Sequence, residues 1–349
     1  MSEIDNRDDV PSKKKIFYPI QPPLKQYLIK YDREIDLPVQ YSDMLRFNMT
    51  TPLLDKNDVD TLWQTVYYDE TEMSELYPGL KYIYALMNAS GRLEVMDHLS
   101  VSRIDYCCFG NSKPFRVRII NRLNDNYDHF YVKRADASRV YGLELEHILS
   151  PNRINYITSH DTLIEEHIPG LPGDIFVNDY ITDVKFNRTR ISKEFVKFNE
   201  RCFVRLLGDM RSYNYVVDIT PDIEGNQYRI RAIDFDQQSY EGKLKLYMPQ
   251  FFKENNNLVF LGMESITEKT MRQYQQEERS IISHRVRLAR HRLKELFDAS
   301  LKDEVAPLEK TLALGQELAI YHNSKKFTKI KHMGKMLKAH LYACLENKK

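Results

Sequence analysis

Three polar residues in the middle of the chain have types and spacing that suit phosphoryl transfer. Asp209 lies in a turn after an apolar pair, Asn214 comes five residues later, and Asp234 ends a strand-like run. Phosphoryl transfer depends on in-line positioning and charge neutralisation more than on covalent catalysis. The side-chain oxygens of Asp234 and Asn214 suit Mg²⁺, a hard cation. Asp209 would orient an acceptor hydroxyl and accept its proton.

A hairpin and a helix are predicted to position these residues. Residues 215–217 and 228–233 have strand character and are separated by a polar turn. We expect the ends of this hairpin to hold Asn214 and Asp234 close together, with Asp209 on the loop before it. Apolar residues at helical spacing predict a helix over residues 190–206 that leads into this loop. The alternative interpretation is that all three are ordinary turn residues at strand ends.

This segment resembles the catalytic and metal-binding loops of the protein-kinase-like superfamily, and in particular its small-molecule branch. That branch includes the aminoglycoside phosphotransferases and choline kinases, whose pattern is roughly His-Gly-Asp-x-x-x-x-Asn followed by Ile-Asp-Phe or Ile-Asp-Trp. Gly208, Asp209 and Asn214 match the first part, and residues 233–235 match the second. Leu207 stands where the family usually has a scaffold His.

The resemblance implies an α+β, bilobal protein-kinase-like fold, with a small antiparallel-sheet N-lobe and a mainly helical C-lobe. It implies ATP as donor, Mg²⁺ as cofactor, and transfer of the γ-phosphoryl group to a hydroxyl of a small molecule. Lys133 matches the lysine that contacts the α- and β-phosphates, which needs a carboxylate to hold it. Glu144 and Glu146 follow in a helical segment, roughly 200° apart, so only one can face the strand. The family spacing favours Glu144.

Two further segments match the nucleotide-binding parts of the family. The link that carries Gly110 and Ser112 occupies the place of the phosphate-covering loop, although it has a single glycine. Backbone groups of Glu166, His167 and Ile168 stand where the family reads the adenine edge. An ordinary hairpin and a plain turn are the alternatives.

Patterns along the chain predict further segments around this catalytic unit. Asn57 or Asp58 is expected to cap a helix that carries Trp63 on its apolar face, and residues 76–87 have the same spacing. The basic residues of the C-terminal helices predict either a solvated face or an anionic partner. The expected organisation is a disordered start (1–15), a helical extension (16–98), the N-lobe (99–168), the C-lobe (169–300) and a basic helical tail (301–349).

Composition is that of a soluble globular protein, with 29% charged and 42% hydrophobic residues and a net charge of +1. Residues 325–349 contain eight Lys and one Glu, a local charge of +7.

The four cysteines lack CxxC spacing, which argues against a zinc site and favours a reducing, cytoplasmic compartment. The first 20 residues lack an apolar signal-peptide core, and no apolar run reaches the ~18 residues of a membrane span.

Other functions compete with phosphotransfer at this stage. Leu207 and the glycine-poor loop favour a pseudokinase, a nucleotide-binding or structural protein without transfer activity. The basic C-terminal helices favour a nucleic-acid or membrane partner. The segment after Asp236 lacks the length and the Ala-Pro-Glu of a protein-kinase activation segment, which argues against a conventional protein kinase. The sequence identifies neither the acceptor nor the oligomeric state, and AMP transfer stays open.

Overall fold

The computed structural model describes residues 15–88, 97–108, 111–181, 187–223 and 225–346. The chain divides into two compact units. One unit contains Pro19–Asp136 and Ile154–His167, and the other contains Met1–Tyr18, Ala137–Arg153 and Ile168–Lys349. The predicted α+β class is confirmed: an antiparallel sheet occupies the N-terminal region and helices dominate the C-terminal part.

The first unit, called the sheet unit, is built on seven antiparallel strands in the order β1-β2-β3-β4-β5-β7-β6. Its helices are α1 (Pro22–Lys30), α2 (Tyr41–Met44) and α3 (Glu70–Asn88). Its strands are β1 (Met49–Leu54), β2 (Asp60–Tyr67), β3 (Leu99–Tyr106), β4 (Phe115–Asn121), β5 (Tyr127–Arg134), β6 (Tyr156–Ser159) and β7 (Thr162–Glu166).

Alternation along the central strands separates an apolar face of this sheet from a polar face. On β5, Phe130 and Val132 are buried in the same hydrophobic cluster as Leu80 and Ile83 of α3. Successive side chains of a strand point to opposite faces, so Lys133 lies on the other face. This alternation fixes which side of the sheet presents the lysine.

The helix predicted from Asn57 onward is wrong. Residues 60–67 form β2, which pairs with β1 and, at Gln64 and Thr65, with β3. The apolar spacing fits a helix, but the stretch is rich in β-branched and aromatic residues, and sheet pairing satisfies its backbone. The helix predicted over residues 76–87 is confirmed by α3. The region predicted to be helical therefore adds two strands to the sheet.

The second unit, called the helical unit, contains eight α-helices and a three-stranded antiparallel sheet among the described residues. Its helices are α4 (Ala137–Leu149), α5 (Gly173–Ile175), α6 (Arg188–Arg205), α7 (Asn256–Ser265), α8 (Glu268–Leu288), α9 (Arg290–Ser300), α10 (Leu308–Tyr321) and α11 (Met333–Leu345). Its strands are β8 (Leu171–Pro172), β9 (Tyr215–Asp222) and β10 (Gly225–Ala232).

Both elements predicted to position the candidate residues are confirmed. The strands β9 and β10 pair along their whole length as a hairpin, from Tyr215 with Ala232 to Asp222 with Gly225. Helix α6 covers the predicted helix over 190–206, and its buried residues include Ile191, Phe195 and Phe198. None of the described helices is both long enough and apolar enough to cross a membrane.

Candidate functional site

The loop between α6 and β9 carries Asp209 in an unusual backbone conformation. Helix α6 ends at Arg205 and is capped by Leu206, which has a φ of 53°, and Asp209 has a φ of 57°. Left-handed conformations cost a residue with a side chain roughly 1–2 kcal/mol each, so other bonds must stabilise this loop. Those bonds run from the amide of Gly208 to the carbonyl of Gln237 (3.2 Å) and from the amide of Asp209 to the carbonyl of Leu246 (3.1 Å).

Asn214 links this loop to the end of the hairpin. Its Nδ2 donates to the carbonyl oxygen of Asp209 over 2.7 Å. Its own carbonyl accepts from the amide of Ile233 over 3.0 Å. Asp234 follows directly, so the structure brings Asp209, Asn214 and Asp234 together within the helical unit.

The environment of Asp209 places its titration near neutrality. Burial raises the pKa of this carboxyl to about 6, and the negative charges of Asp234 and Glu241 also raise it. Arg211 opposes the rise, because its Nε donates to Oδ1 of Asp209 over 2.9 Å. A carboxyl with this pKa is largely ionised at pH 7 and still basic enough to accept a proton.

Asp234 is bound by a buried arginine that the sequence reasoning missed. Nη1 of Arg139 lies 2.7 Å from Oδ1 of Asp234 and 2.8 Å from Oδ1 of Asp236. Arg139 is on α4 and is 1% exposed. A signal was present in the sequence, because an arginine between Ala137-Ser138 and Val140-Tyr141 lies in weakly polar surroundings where a charge needs an acidic partner.

Two residues, Leu207 in the loop and Gly173 beside it, are constrained by close packing. Leu207, which replaces the His of the resembled family, is fully buried and its backbone bridges to Gln238. Gly173 packs against the loop so closely that a Cβ there would lie 2.3 Å from the carbonyl oxygen of Ser212 and 2.3 Å from the ring of Tyr215. Only glycine fits at this position.

Lys133 is paired in the sheet unit with an acid that the sequence reasoning did not consider. Its Nζ donates to Oε2 of Glu165 over 2.8 Å, and both side chains are buried. The pair follows from the register, in which Lys133 lies opposite Leu163 while Tyr131 lies opposite Glu165 on the adjacent strand. Only the register of β5 and β7, which the sequence does not give, could have identified Glu165.

The two glutamates weighed as partners of Lys133 form ion pairs inside the helical unit. Both oxygens of Glu144 accept from Arg292 of α9, at 2.9–3.1 Å. Glu146 is bonded to Arg205 of α6, and both of these side chains are buried. The predicted role of Glu144 as the carboxylate that holds Lys133 stays a prediction. The basic residues of the C-terminal helices are predicted to face solvent or an anionic partner. Arg292 differs, because it binds the buried carboxylate of Glu144.

The remaining predicted nucleotide-binding residues are placed as follows. Gly110 lies outside the described residues, and Ser112 is half-buried, in the turn before β4. Glu166 ends β7, and its amide donates to the carbonyl of Asn155 over 3.0 Å. His167 is half-buried, with Nδ1 3.2 Å from the hydroxyl of Tyr131, and Ile168 is buried.

The donor set at the end of the hairpin suits a hard cation. Asp234 and Asp236 offer carboxylate oxygens and Asn214 an amide oxygen, which are ligands that Mg²⁺ accepts. Arg139 already provides one positive charge against the two carboxylates, which leaves a formal charge of −1 on the three groups. The residues present therefore fit Mg²⁺, with Arg139 as a competing cation.

The chain matches no protein-family model and no curated protein. Among solved structures it is similar to the autoinhibited serine kinase domain of the giant muscle protein titin. That match has 13% sequence identity and a TM-score of 0.28, over 71% of this chain and 93% of the other. A structure of titin kinase and its flanking domains gives 13% identity and a TM-score of 0.27, over 71% of this chain and 55% of the other.

Proposed function

We propose that this protein is an ATP-dependent phosphotransferase that moves the γ-phosphoryl group to a hydroxyl of a small molecule. The observation that carries the proposal is the placement of Asp209. A carboxyl with a pKa of about 6 is linked through Asn214 to the strand end that carries Asp234. A proton acceptor beside two oxygen ligands is the arrangement that hydroxyl phosphorylation requires.

Each residue of this loop has a role in the proposal. Asp209 orients the acceptor hydroxyl and takes its proton as the bond to phosphorus forms. Asn214 and Asp234 would hold Mg²⁺, which neutralises charge on the phosphate oxygens when bound. Arg211 bonds both Asp209 and Glu254, at 2.9 and 2.8 Å, and so fixes the direction of the Asp209 carboxylate.

Lys133 is the proposed phosphate ligand. Lys133 keeps the role implied by the resemblance, contact with the α- and β-phosphates of ATP. The carboxylate of Glu165 holds the ammonium group at 2.8 Å, and Glu144 stays a predicted second partner. Ser112 and the backbone of residues 166–168 stay predictions for nucleotide binding.

A pseudokinase is the second candidate, and the contacts of Arg139 favour it. A buried guanidinium that bonds both Asp234 and Asp236 neutralises carboxylates as a divalent ion would. A protein that uses an internal cation here needs no metal to keep its fold and performs no transfer. The two candidates differ in whether Asp209 is needed for turnover.

Incubation of the full chain with Mg²⁺, ATP and a panel of hydroxyl compounds tests the proposal. Phosphorus NMR follows the products and distinguishes ADP, which phosphoryl transfer yields, from pyrophosphate, which AMP transfer yields. We expect ADP and a phosphorylated acceptor from the wild type and the Asp218→Asn control, whose substitution lies on β9. Asp209→Asn should abolish transfer while ATP still binds. ATP binding without turnover in any mixture would favour the pseudokinase, and pyrophosphate would contradict γ-phosphoryl transfer.

A further inference from the structure

Two imidazoles and a thiol meet in the buried C-terminal part of the helical unit. His322 follows α10, and His340 and Cys344 lie one turn apart on α11. One ligand atom from each residue lies within 4.8 Å of the others. Nε2 of His322 is 3.0 Å from Nδ1 of His340, and Sγ of Cys344 is 3.8 Å from the same Nδ1.

The backbone of α6 orients the central imidazole of this cluster. Nε2 of His340 lies 2.9 Å from the carbonyl oxygen of Phe203, in the last turn of that helix. A carbonyl can only accept, so Nε2 carries the proton and Nδ1 presents its lone pair toward His322 and Cys344. A metal-binding histidine is commonly fixed in this way, by donation from its other nitrogen to a backbone carbonyl.

Two of the three separations are close to those around a tetrahedral ion, and the third, between Cys344 and His322, is within 4.8 Å. Zinc binds nitrogen at about 2.0–2.1 Å and thiolate sulfur at about 2.3 Å, which places neighbouring ligand atoms about 3.3–3.6 Å apart. The observed separations of 3.0 and 3.8 Å differ from this by a few tenths of an ångström. Sγ is also 3.6 Å from Nε2 of His340, so Cys344 must turn about its Cα–Cβ bond to align with the lone pair.

An open cavity provides the space for that rotation and for a fourth ligand. Cys344 and His322 both line a cavity of about 800 Å³, together with Tyr321, Ser283 and the basic residues Arg279 and Arg287. Water can therefore reach the cluster from one side. Three protein ligands with an accessible fourth position define an incompletely enclosed site rather than a closed four-ligand one.

We propose that His322, His340 and Cys344 bind one borderline-soft transition-metal ion, of the Zn²⁺ class, with water as fourth ligand. Two nitrogens and a sulfur select this class over Mg²⁺ or Ca²⁺, which prefer oxygen. Binding displaces the thiol proton of Cys344, moves the ring proton of His322 from Nε2 to Nδ1, and replaces the contact between the two imidazoles by two bonds to the ion. The site uses none of the residues of the proposed phosphotransfer reaction.

The competing interpretation is a metal-free core in which the imidazoles bond each other. Donation from Nε2 of His322 to Nδ1 of His340 satisfies both atoms, and Cys344 stays a protonated thiol. That arrangement has no affinity for a transition metal beyond that of other buried histidines. The two interpretations therefore differ in metal content and in the state of the Cys344 sulfur.

Untagged full-length protein tests the proposal directly. We expect about one zinc per chain by mass spectrometry. After the zinc is removed by chelation, one equivalent of Co²⁺ should fill the site. The cobalt protein should show thiolate-to-cobalt charge-transfer absorption and the intense visible bands of a tetrahedral ion. Zinc-free protein that gives no charge-transfer band with Co²⁺ would overturn the proposal, whatever the result for phosphotransfer.

Matched cysteine variants locate the ligand. Cys344 and Cys107 are both 4% exposed, and Cys107 lies in the sheet unit. Cys344→Ser should abolish the charge-transfer band, and Cys107→Ser should leave it unchanged. His322→Gln provides a second variant at the cluster, and it should weaken Co²⁺ binding at least tenfold while its circular dichroism matches the wild type. An undiminished band in Cys344→Ser would contradict the assignment.

Discussion

The guanidinium of Arg139 donates from Nη1 to Oδ1 of Asp234 over 2.7 Å. The same nitrogen is 2.8 Å from Oδ1 of Asp236, so one buried cation is shared by two carboxylates. The carboxylate proposed to bind Mg²⁺ therefore has a cationic partner within the chain. Any divalent ion must bind beside this guanidinium, and the competition can be measured.

Replacing Arg139 with Met should make the stability of the protein depend on Mg²⁺. Removal of one partner from a buried ion pair costs about 3–5 kcal/mol, because the acids lose their counter-charge. A divalent ion can replace that charge, so millimolar Mg²⁺ should raise the melting temperature of Arg139→Met more than that of the wild type.

Arg201→Met is the matched control for this experiment. Arg201 is also buried and pairs with Glu194 and Glu278, which are not among the proposed metal ligands. We expect it to lose stability without recovery in Mg²⁺. An equal effect of Mg²⁺ on both variants would contradict a cation site at Asp234 and Asp236.

Asp209→Asn should stabilise the protein at neutral pH. A carboxyl whose pKa rises on folding from 3.8 to about 6 costs about 3 kcal/mol when it is ionised. Between those values the folded state binds the extra proton, so stability falls as pH rises through this window. The asparagine variant lacks this cost. Urea unfolding should show it more stable than the wild type at pH 8, with a smaller difference at pH 4. If the variant is less stable than the wild type at pH 8, the ion pair with Arg211 outweighs the cost of burying the Asp209 carboxylate.

The same carboxyl should set the acid limb of activity. A base must be ionised before it accepts a proton, so kcat should rise with pH and level off above a midpoint near 6. Steady-state rates between pH 5 and 8 with saturating Mg²⁺ and ATP measure this limb. A rate independent of pH over the whole range would remove Asp209 from the role of base.

Variants of Lys133 and Glu165 separate the contribution of Lys133 to stability from its proposed role in nucleotide binding. Lys133→Met leaves a buried carboxylate without this partner and should cost about 3–5 kcal/mol. Adding Glu165→Gln removes that charge, so the double variant should regain most of the lost stability. Neither variant should bind Mg²⁺-ATP normally, because both lack the ammonium group. Normal nucleotide affinity in the double variant, measured by calorimetry, would contradict the phosphate contact of Lys133.

Local patterns predicted the helical unit around Asp209 well, for physical reasons. Phe195 and Phe198 lie on one buried stripe of α6, and the polar turn before Tyr228 fixes the register of the hairpin. These signals are local, because each depends on residues a few positions apart. They were sufficient to place Asp209, Asn214 and Asp234 near each other.

Contacts between residues distant in sequence were not predictable from these patterns. Arg139 reaches Asp234 across 95 residues, and Glu144 reaches Arg292 across 148. In β2, Trp63 and Val66 have helical spacing, but pairing with β1 and β3 decides the outcome. Lys133 and Glu165 meet only because of the register between β5 and β7. Propensity is a weak prior when tertiary pairing competes with it.

The most direct test of the central claim is the melting temperature of the full chain in ATP with and without Mg²⁺. A ligand that binds the folded state raises it by mass action, so about 100-fold excess over Kd adds about 2.7 kcal/mol. We predict a rise that requires both ATP and Mg²⁺, that is lost in Asp234→Asn and that persists in Asp218→Asn. No shift at millimolar ATP and Mg²⁺, or an unchanged shift in Asp234→Asn, would contradict the account.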